Sequence, residues 1–218
     1  MTKQVSPSTP YLDDSLKNHF KYQLIDRQNY RREMPGLWQF VAANLVAQGD
    51  VQLSDALSAA KSDQFDPCPE TKIIKIFGEE GLMVGTFSVT LDSDSGMPVA
   101  EHFSAELAFL RKKYRLINGW RFSMLPNARS ASLRNRTFAI FKSLASENQA
   151  DAIVLYFNQR LDRYYSRFFN GRIIATKNIS FDGVNELPVS LFVGEVKDNQ
   201  PDIKYLNEGD VHENAMVF

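Results

Sequence analysis

PNARSASLRNRTF, residues 126–138, separates two apolar runs, Trp120-Arg121-Phe122-Ser123-Met124-Leu125 before it and Phe138-Ala139-Ile140-Phe141 after it. The first run predicts a strand over 119–125. The second belongs to a helix predicted from about 133 to 148. Between them stand Arg129, Arg134 and Arg136 with small polar residues. A helix start offers unpaired backbone N–H groups and the positive end of the macrodipole, so an anion is favoured there. Arginines add bidentate donors suited to phosphate. The segment contains neither GxxxxGK[ST] nor GxGxxG, so it is not a Walker loop or a dinucleotide fingerprint. Solvated arginines making surface ion pairs are an equally open reading.

Working outward, 152–157 predicts an apolar strand and 161–169 a short aromatic helix, with further strands at 173–176 and 189–196. Upstream, 72–77 and 82–91 are rich in β-branched and apolar residues and are joined by Gly78-Glu79-Glu80-Gly81, which predicts a hairpin. A helix is expected over 104–114 with Ser104 as its cap and Glu106 near its positive end. Another is expected over 37–48, stopped by Gly49. Leu16, Phe20 and Leu24 recur at four-residue spacing, so 15–32 predicts an amphipathic helix or an arm over the main domain. Pro35-Gly36 marks a boundary. Strands alternating with helices after an antiparallel start imply a mixed α/β sheet. The expected organisation is an arm over 1–34, one domain over 35–196, and an acidic polar tail over 197–218.

A hydrophobic content of 44% with 16 phenylalanines is enough for a real core in a chain of 218 residues. Cys68 is the only cysteine, which rules out an internal disulfide and fits a reducing, cytoplasmic setting. The start MTKQVSPSTPYLDD has no apolar signal region, and no apolar run is long enough for a membrane span. Net charge is −1 overall, but residues 110–172 hold thirteen Lys/Arg against Glu147, Asp151 and Asp162, a local net of +10. The tail from 197 onward is net −3. A basic middle in a near-neutral protein points to a local anionic partner. The basic residues are spread over several elements without a helix-turn-helix or RNA-module pattern, which argues against nucleic acid.

The order strand, cationic loop, helix, strand, aromatic helix resembles the GNAT acyltransferase superfamily. Its phosphate loop, [QR]-x-x-G-x-[GA], aligns with Arg129-Ser130-Ala131-Ser132-Leu133-Arg134. The leading Arg is present, and Ser132 and Arg134 fill the glycine places. A narrower resemblance over about 37–175 is to bacterial long-chain N-acyl amino acid synthases, and more distantly to acyl-homoserine-lactone synthases. It rests on Leu37-Trp38-Gln39-Phe40-Val41 through Gly49-Asp50, on Val84-Gly85-Thr86, on Gly96-Met97-Pro98 with His102-Phe103 and Glu106-Leu107, and on Asn118-Gly119-Trp120-Arg121-Phe122 in place of Glu-x-Ser-Arg-Phe.

The resemblance implies a GNAT-like fold, a mixed, mostly antiparallel twisted sheet flanked by helices. It also implies transfer of a fatty acyl group from an acyl-carrier-protein or acyl-CoA thioester to an amine such as an amino acid. An acidic acyl carrier protein would complement the basic segment, and the replaced loop glycines suit a carrier-borne donor better than free CoA. An acetyl-CoA-dependent acetyltransferase and a catalytically silent binding domain of the same fold are the alternatives.

Thioester aminolysis needs a deprotonated amine, an oxyanion donor and a proton for the departing thiolate. The resemblance places the oxyanion donor at the backbone N–H of Met124 or Leu125, and the thiolate's acid at Tyr165, where packing is the competing role. Arg121 matches the family's strand arginine, as a structural ion pair or a contact to a substrate carboxylate. Asn118 replaces the family's Glu and cannot act as a base, which leaves water, Glu101 or Glu106 for that task. Arg129, Ser130, Ala131, Ser132, Leu133 and Arg134 would hold the donor. His102 is a lone loop histidine with no metal-ligand spacing around it, and no metal is expected. No GxSxG elbow supports a serine triad.

Overall fold

The computed structural model describes residues 20–25, 27–49, 51–180 and 186–201. Most of the arm and of the acidic tail therefore lies outside the described residues. Seven strands form one sheet in the order β1-β2-β3-β4-β5-β7-β6. They are β1 (Lys21–Ile25), β2 (Thr71–Phe77), β3 (Met83–Leu91), β4 (Leu116–Met124), β5 (Ala152–Asn158), β6 (Arg172–Ser180) and β7 (Glu186–Glu195). Every neighbouring pair is antiparallel except β4 and β5, which run parallel. A parallel pair needs a crossover, and α4 (Ala131–Glu147) supplies it.

Strand alternation sorts the core into two faces. Ile74, Phe87, Ile153 and Leu155 meet Leu133, Phe138 and Phe141 of α4 on one face. On the other face, Val154 and Leu191 meet Phe103 and Leu107 of α3 (Ala100–Leu110), and Ile73 packs with Met34, Leu37 and Val41 of α1 (Tyr30–Gln48). Gly49 ends α1 in a left-handed conformation, φ 73°, as expected.

Three expectations need correction. Residues 21–25 are an edge strand on β2, not part of a helix over 15–32. Phe20, Tyr22 and Leu24 all pack on the α4-side core, so the two-residue alternation wins over the four-residue spacing. The helix begins at Tyr30 and runs through Pro35, so Pro35-Gly36 is not a boundary. The helix expected from Ser104 starts at Ala100 and bends at Phe103, φ −124° and ψ 36°.

The sheet opens between β4 and β5. They pair from Leu116–Ala152 to Gly119–Leu155 and then part, while β4 continues to Met124 and β5 to Asn158. At the parting, Arg121 and Phe122 oppose Phe87 alone, a bulge with Arg121 at φ 55°. The extra residue changes which side chain faces which layer: Phe122 joins the α4-side aromatics, and Arg121 follows Trp120 to the α1–α3 side. Gly119 is required here. A Cβ would lie 2.8 Å from Leu155 Cδ2 and from Phe141 Cζ and 3.0 Å from Phe122 Cε2. Gly119→Ala is expected to cost about 1–3 kcal/mol by overpacking, read as a lower urea midpoint with an unchanged slope.

Candidate active site

Two approaches converge on the β4–β5 parting, one from each face of the sheet. On the α4 face, Ser130 caps α4 by accepting from the Leu133 amide at 3.1 Å. Arg129 is exposed and its Nε donates to the Met124 carbonyl at 3.3 Å, so the cationic loop is tied to the end of β4. The predicted oxyanion donors separate cleanly. The Leu125 amide donates to Val84 O at 2.9 Å and is therefore spent on β3. By strand alternation the Met124 amide points the other way, toward the side β5 has left.

Tyr165 is wedged into that gap. Its ring stacks on Phe157 of β5 at 4.2 Å and meets Phe122 of β4 edge-on at 6.4 Å. Burial pushes its phenol well above the ordinary range, so it carries its proton throughout. No hydrogen bond engages its hydroxyl among the described residues.

The loop arginines do different things. The Arg134 guanidinium lies over Tyr164 and Phe168, 5.6 Å and 5.1 Å from their centroids, and fastens α4 to the α5 segment (Asp162–Tyr165). Arg136 is buried over the Tyr22 ring. Neither is a plain surface cation. Arg129 in the loop, and Arg160, Arg163 and Arg167 in and around the α5 segment, are exposed. Ala131, Ser132 and Leu133 form the first turn of α4, and Leu133 is fully buried.

From the opposite face, a cavity of about 500 Å³ reaches the same strands, with Trp120 and Arg121 of β4, Tyr156 and Asn158 of β5, and Glu101 and His102 of α3 in its wall. Arg121 Nη1 makes a 2.6 Å ionic contact with Asp66 Oδ1, the side chains being 3% and 0% exposed. The contact is ionic without being a well-directed hydrogen bond. Asp66 Oδ2 accepts from Trp38 Nε1 at 2.8 Å and from the Ser62 amide at 3.0 Å. The Trp120 ring lies 4.2 Å from the guanidinium carbon. Sequence reasoning missed Asp66 and Tyr156 entirely.

Asn118 has no polar atom to spare. Its Oδ1 accepts from the Val99 amide at 3.3 Å, and its Nδ2 donates to Gly119 O at 3.1 Å and Val154 O at 3.0 Å. It ties β4 to β5 and to the start of α3, just before the strands separate. Of the two alternative carboxylates, Glu106 pairs with Lys177 at 2.9 Å, which holds it below the usual carboxylate range. Glu101 lines the cavity, where it adds to the burial that raises the Tyr156 phenol. Burial pushes the His102 imidazole down, toward its neutral form.

A parted parallel pair with an amide facing the gap, a capped helix on one side and a cavity on the other suits acyl transfer. The sequence profile of the FeeM family of N-acyl amino acid synthases matches residues 40–193. The chain belongs to that family. No curated protein matches it by sequence. Among solved structures it resembles FeeM, an N-acyl amino acid synthase from uncultured soil microbes, with TM-score 0.67 and 20% identity, covering 86% of this chain and 98% of that one. It also resembles BjaI, a CoA-dependent acyl-homoserine lactone synthase, with TM-score 0.62 and 11% identity over 88% and 92% of the two chains. An acyl-CoA N-acyltransferase from Pseudomonas aeruginosa follows at TM-score 0.53 and 11% identity, covering 80% and 99%. This FeeM-family chain is therefore an N-acyltransferase of the GNAT fold, as the strand–loop–helix reading implied. Among the described residues no helix is long and apolar enough to cross a membrane.

Proposed function

We propose that the protein transfers a long-chain acyl group from an acyl-carrier-protein thioester to the amine of an amino acid. The observation that carries this is the Met124 amide, which strand alternation turns toward the gap between a basic loop on one face and the cavity that Glu101 and Tyr156 line on the other. The thioester carbonyl sits against that amide, which stabilises the oxyanion formed when the amine attacks. Glu101, or water beside it, accepts the amine's proton. The intermediate collapses with cleavage of the C–S bond, and the Tyr165 hydroxyl donates its proton to the thiolate. Asn118 positions the strands and leaves the proton transfers to others.

A carrier-borne donor is favoured over free acyl-CoA by the loop itself. Ser132 and Arg134 carry side chains where glycines would let backbone approach a pyrophosphate, and Arg134 is committed to Tyr164 and Phe168. The exposed Arg129, Arg163 and Arg167 suit an acidic protein surface.

The test supplies the purified protein with acyl-carrier protein or acyl-CoA of matched chain length, plus amino acids, and measures thiol release and N-acyl product by mass spectrometry. Product from the carrier-borne donor is expected. Arg163→Glu with Arg167→Glu should raise KM for the carrier several-fold at low salt, leave KM for acyl-CoA unchanged, and matter less as salt rises. Equal effects on both donors would remove the carrier.

A further inference from the structure

We infer that a second cavity, at the end of β1, is a binding site for a small phosphate monoester with an apolar body. This cavity measures about 600 Å³ and lies where the chain leaves β1 and enters α1. It shares no wall residue with the cavity that Trp120 and Arg121 line. Asp66 stands in one wall and Arg121 in the other, so their ion pair separates the two. The site is therefore distinct from the acyl-transfer centre and does not rest on the function proposed above.

Charge names the class of ligand. Arg27, Arg31 and Lys72 line the cavity against a single carboxylate, Asp66. Both oxygens of Asp66 are committed, one to Arg121 and the other to Trp38 and the Ser62 amide. The acid in the first turn of α1, Glu33, is held by Arg32 and Lys75. Arg27 and Arg31 are exposed and make no ion pair or hydrogen bond among the described residues. Lys72 is half-buried, and burial together with the Arg27 charge pulls its ammonium below the usual lysine range. Like charges gathered in a concave wall draw anions in. An anion between Lys72 and Arg27 turns their repulsion into two attractions. Three cations match a dianion better than a carboxylate, and guanidinium forks suit phosphate oxygens. The positive end of α1 adds to the field, because Tyr30 and Arg31 of its first turn line the cavity. Leu24, Ile25, Tyr30 and Ile73 give it an apolar wall, and its volume is that of a small-molecule pocket.

Calorimetric titration of the full chain with phenyl phosphate, inorganic phosphate and benzoate tests the site. Phenyl phosphate is expected to bind at least about tenfold more tightly than inorganic phosphate, which lacks the apolar body, and than benzoate, which lacks the second charge. Its affinity should rise as pH passes through about 6, where a phosphate monoester becomes a dianion, and should fall with added salt. Arg27→Gln with Arg31→Gln should weaken phenyl phosphate at least about tenfold. Both side chains are exposed, so the double variant is expected to fold. Lys72→Gln, made separately, should weaken binding several-fold. Absence of binding, or binding that the arginine variant leaves intact, overturns the site, the latter pointing to the exposed arginines beyond it. Equal affinity for benzoate overturns the phosphate ester in favour of an organic carboxylate. Equal affinity for inorganic phosphate overturns the role of the apolar wall and leaves only a surface that attracts ions.

Discussion

Replacing Tyr165 by phenylalanine is expected to lower kcat by about 10²–10⁴-fold, the range for removing a positioned proton donor, while the thermal midpoint stays where it was. Both halves come from the same geometry. The ring's stack on Phe157 and its edge contacts to Phe122, Phe138 and Tyr164 survive the change, because only the hydroxyl is removed. That hydroxyl makes no hydrogen bond among the described residues, so folding loses nothing with it. Its burial keeps the phenol protonated, so Tyr165 itself should not produce an alkaline fall in rate below about pH 10, its unperturbed range. If Tyr165 protonates the thiolate, a donor with a more acidic thiol needs that proton less. An aryl thioester should therefore recover most of the lost rate in Tyr165→Phe, whereas a packing defect would slow both donors alike. A variant with undiminished turnover of the natural-type thioester would return Tyr165 to the role of a core aromatic.

What the sequence made legible follows from the range over which each signal acts. The strand, cationic loop and helix around 119–148 were readable because local patterns dictate them: an apolar run, a small polar capping residue, and a helical stripe. Even there the helix starts at Ala131, capped by Ser130, two residues before the expected start at 133. The edge strand at Lys21–Ile25 was misread because Phe20 and Leu24 satisfy both a four-residue and a two-residue period, and Tyr22 is what separates them. Arg129, Arg134 and Arg136 look alike as letters. Only packing shows one exposed, one laid over two aromatic rings and one buried against Tyr22. Asn118 stood out in the sequence, but whether its amide faces substrate or sheet depends on β5 and α3, whose positions no local pattern gives. Asp66 was invisible. It stands in a non-periodic loop between Phe65 and Pro67, and its partners Arg121, Trp38 and Ser62 gather around it only when the loop, α1 and the β4 bulge are assembled.

The second large effect is on stability. Asp66→Ala is expected to destabilise the fold by about 3–5 kcal/mol, the cost of removing one partner from a buried ion pair. The pair meets that description: the contact is 2.6 Å, and the side chains are 0% and 3% exposed. Truncation strands the Arg121 cation, and also removes the acceptor for Trp38 Nε1 and the Ser62 amide, which link α1 and the loop after α2 (Ala56–Ala60) to the bulge. A buried pair is not in itself a large net gain, because desolvation of both charges offsets their attraction. This gives the prediction its second half. Removing both charges with apolar residues, Asp66→Leu with Arg121→Met, should recover much of the loss, so the double variant is more stable than Asp66→Ala alone. Urea unfolding followed by tryptophan fluorescence measures both. A cost below about 1 kcal/mol for Asp66→Ala, the worth of an exposed pair, would show that water reaches the site and that the bulge is held by its backbone alone.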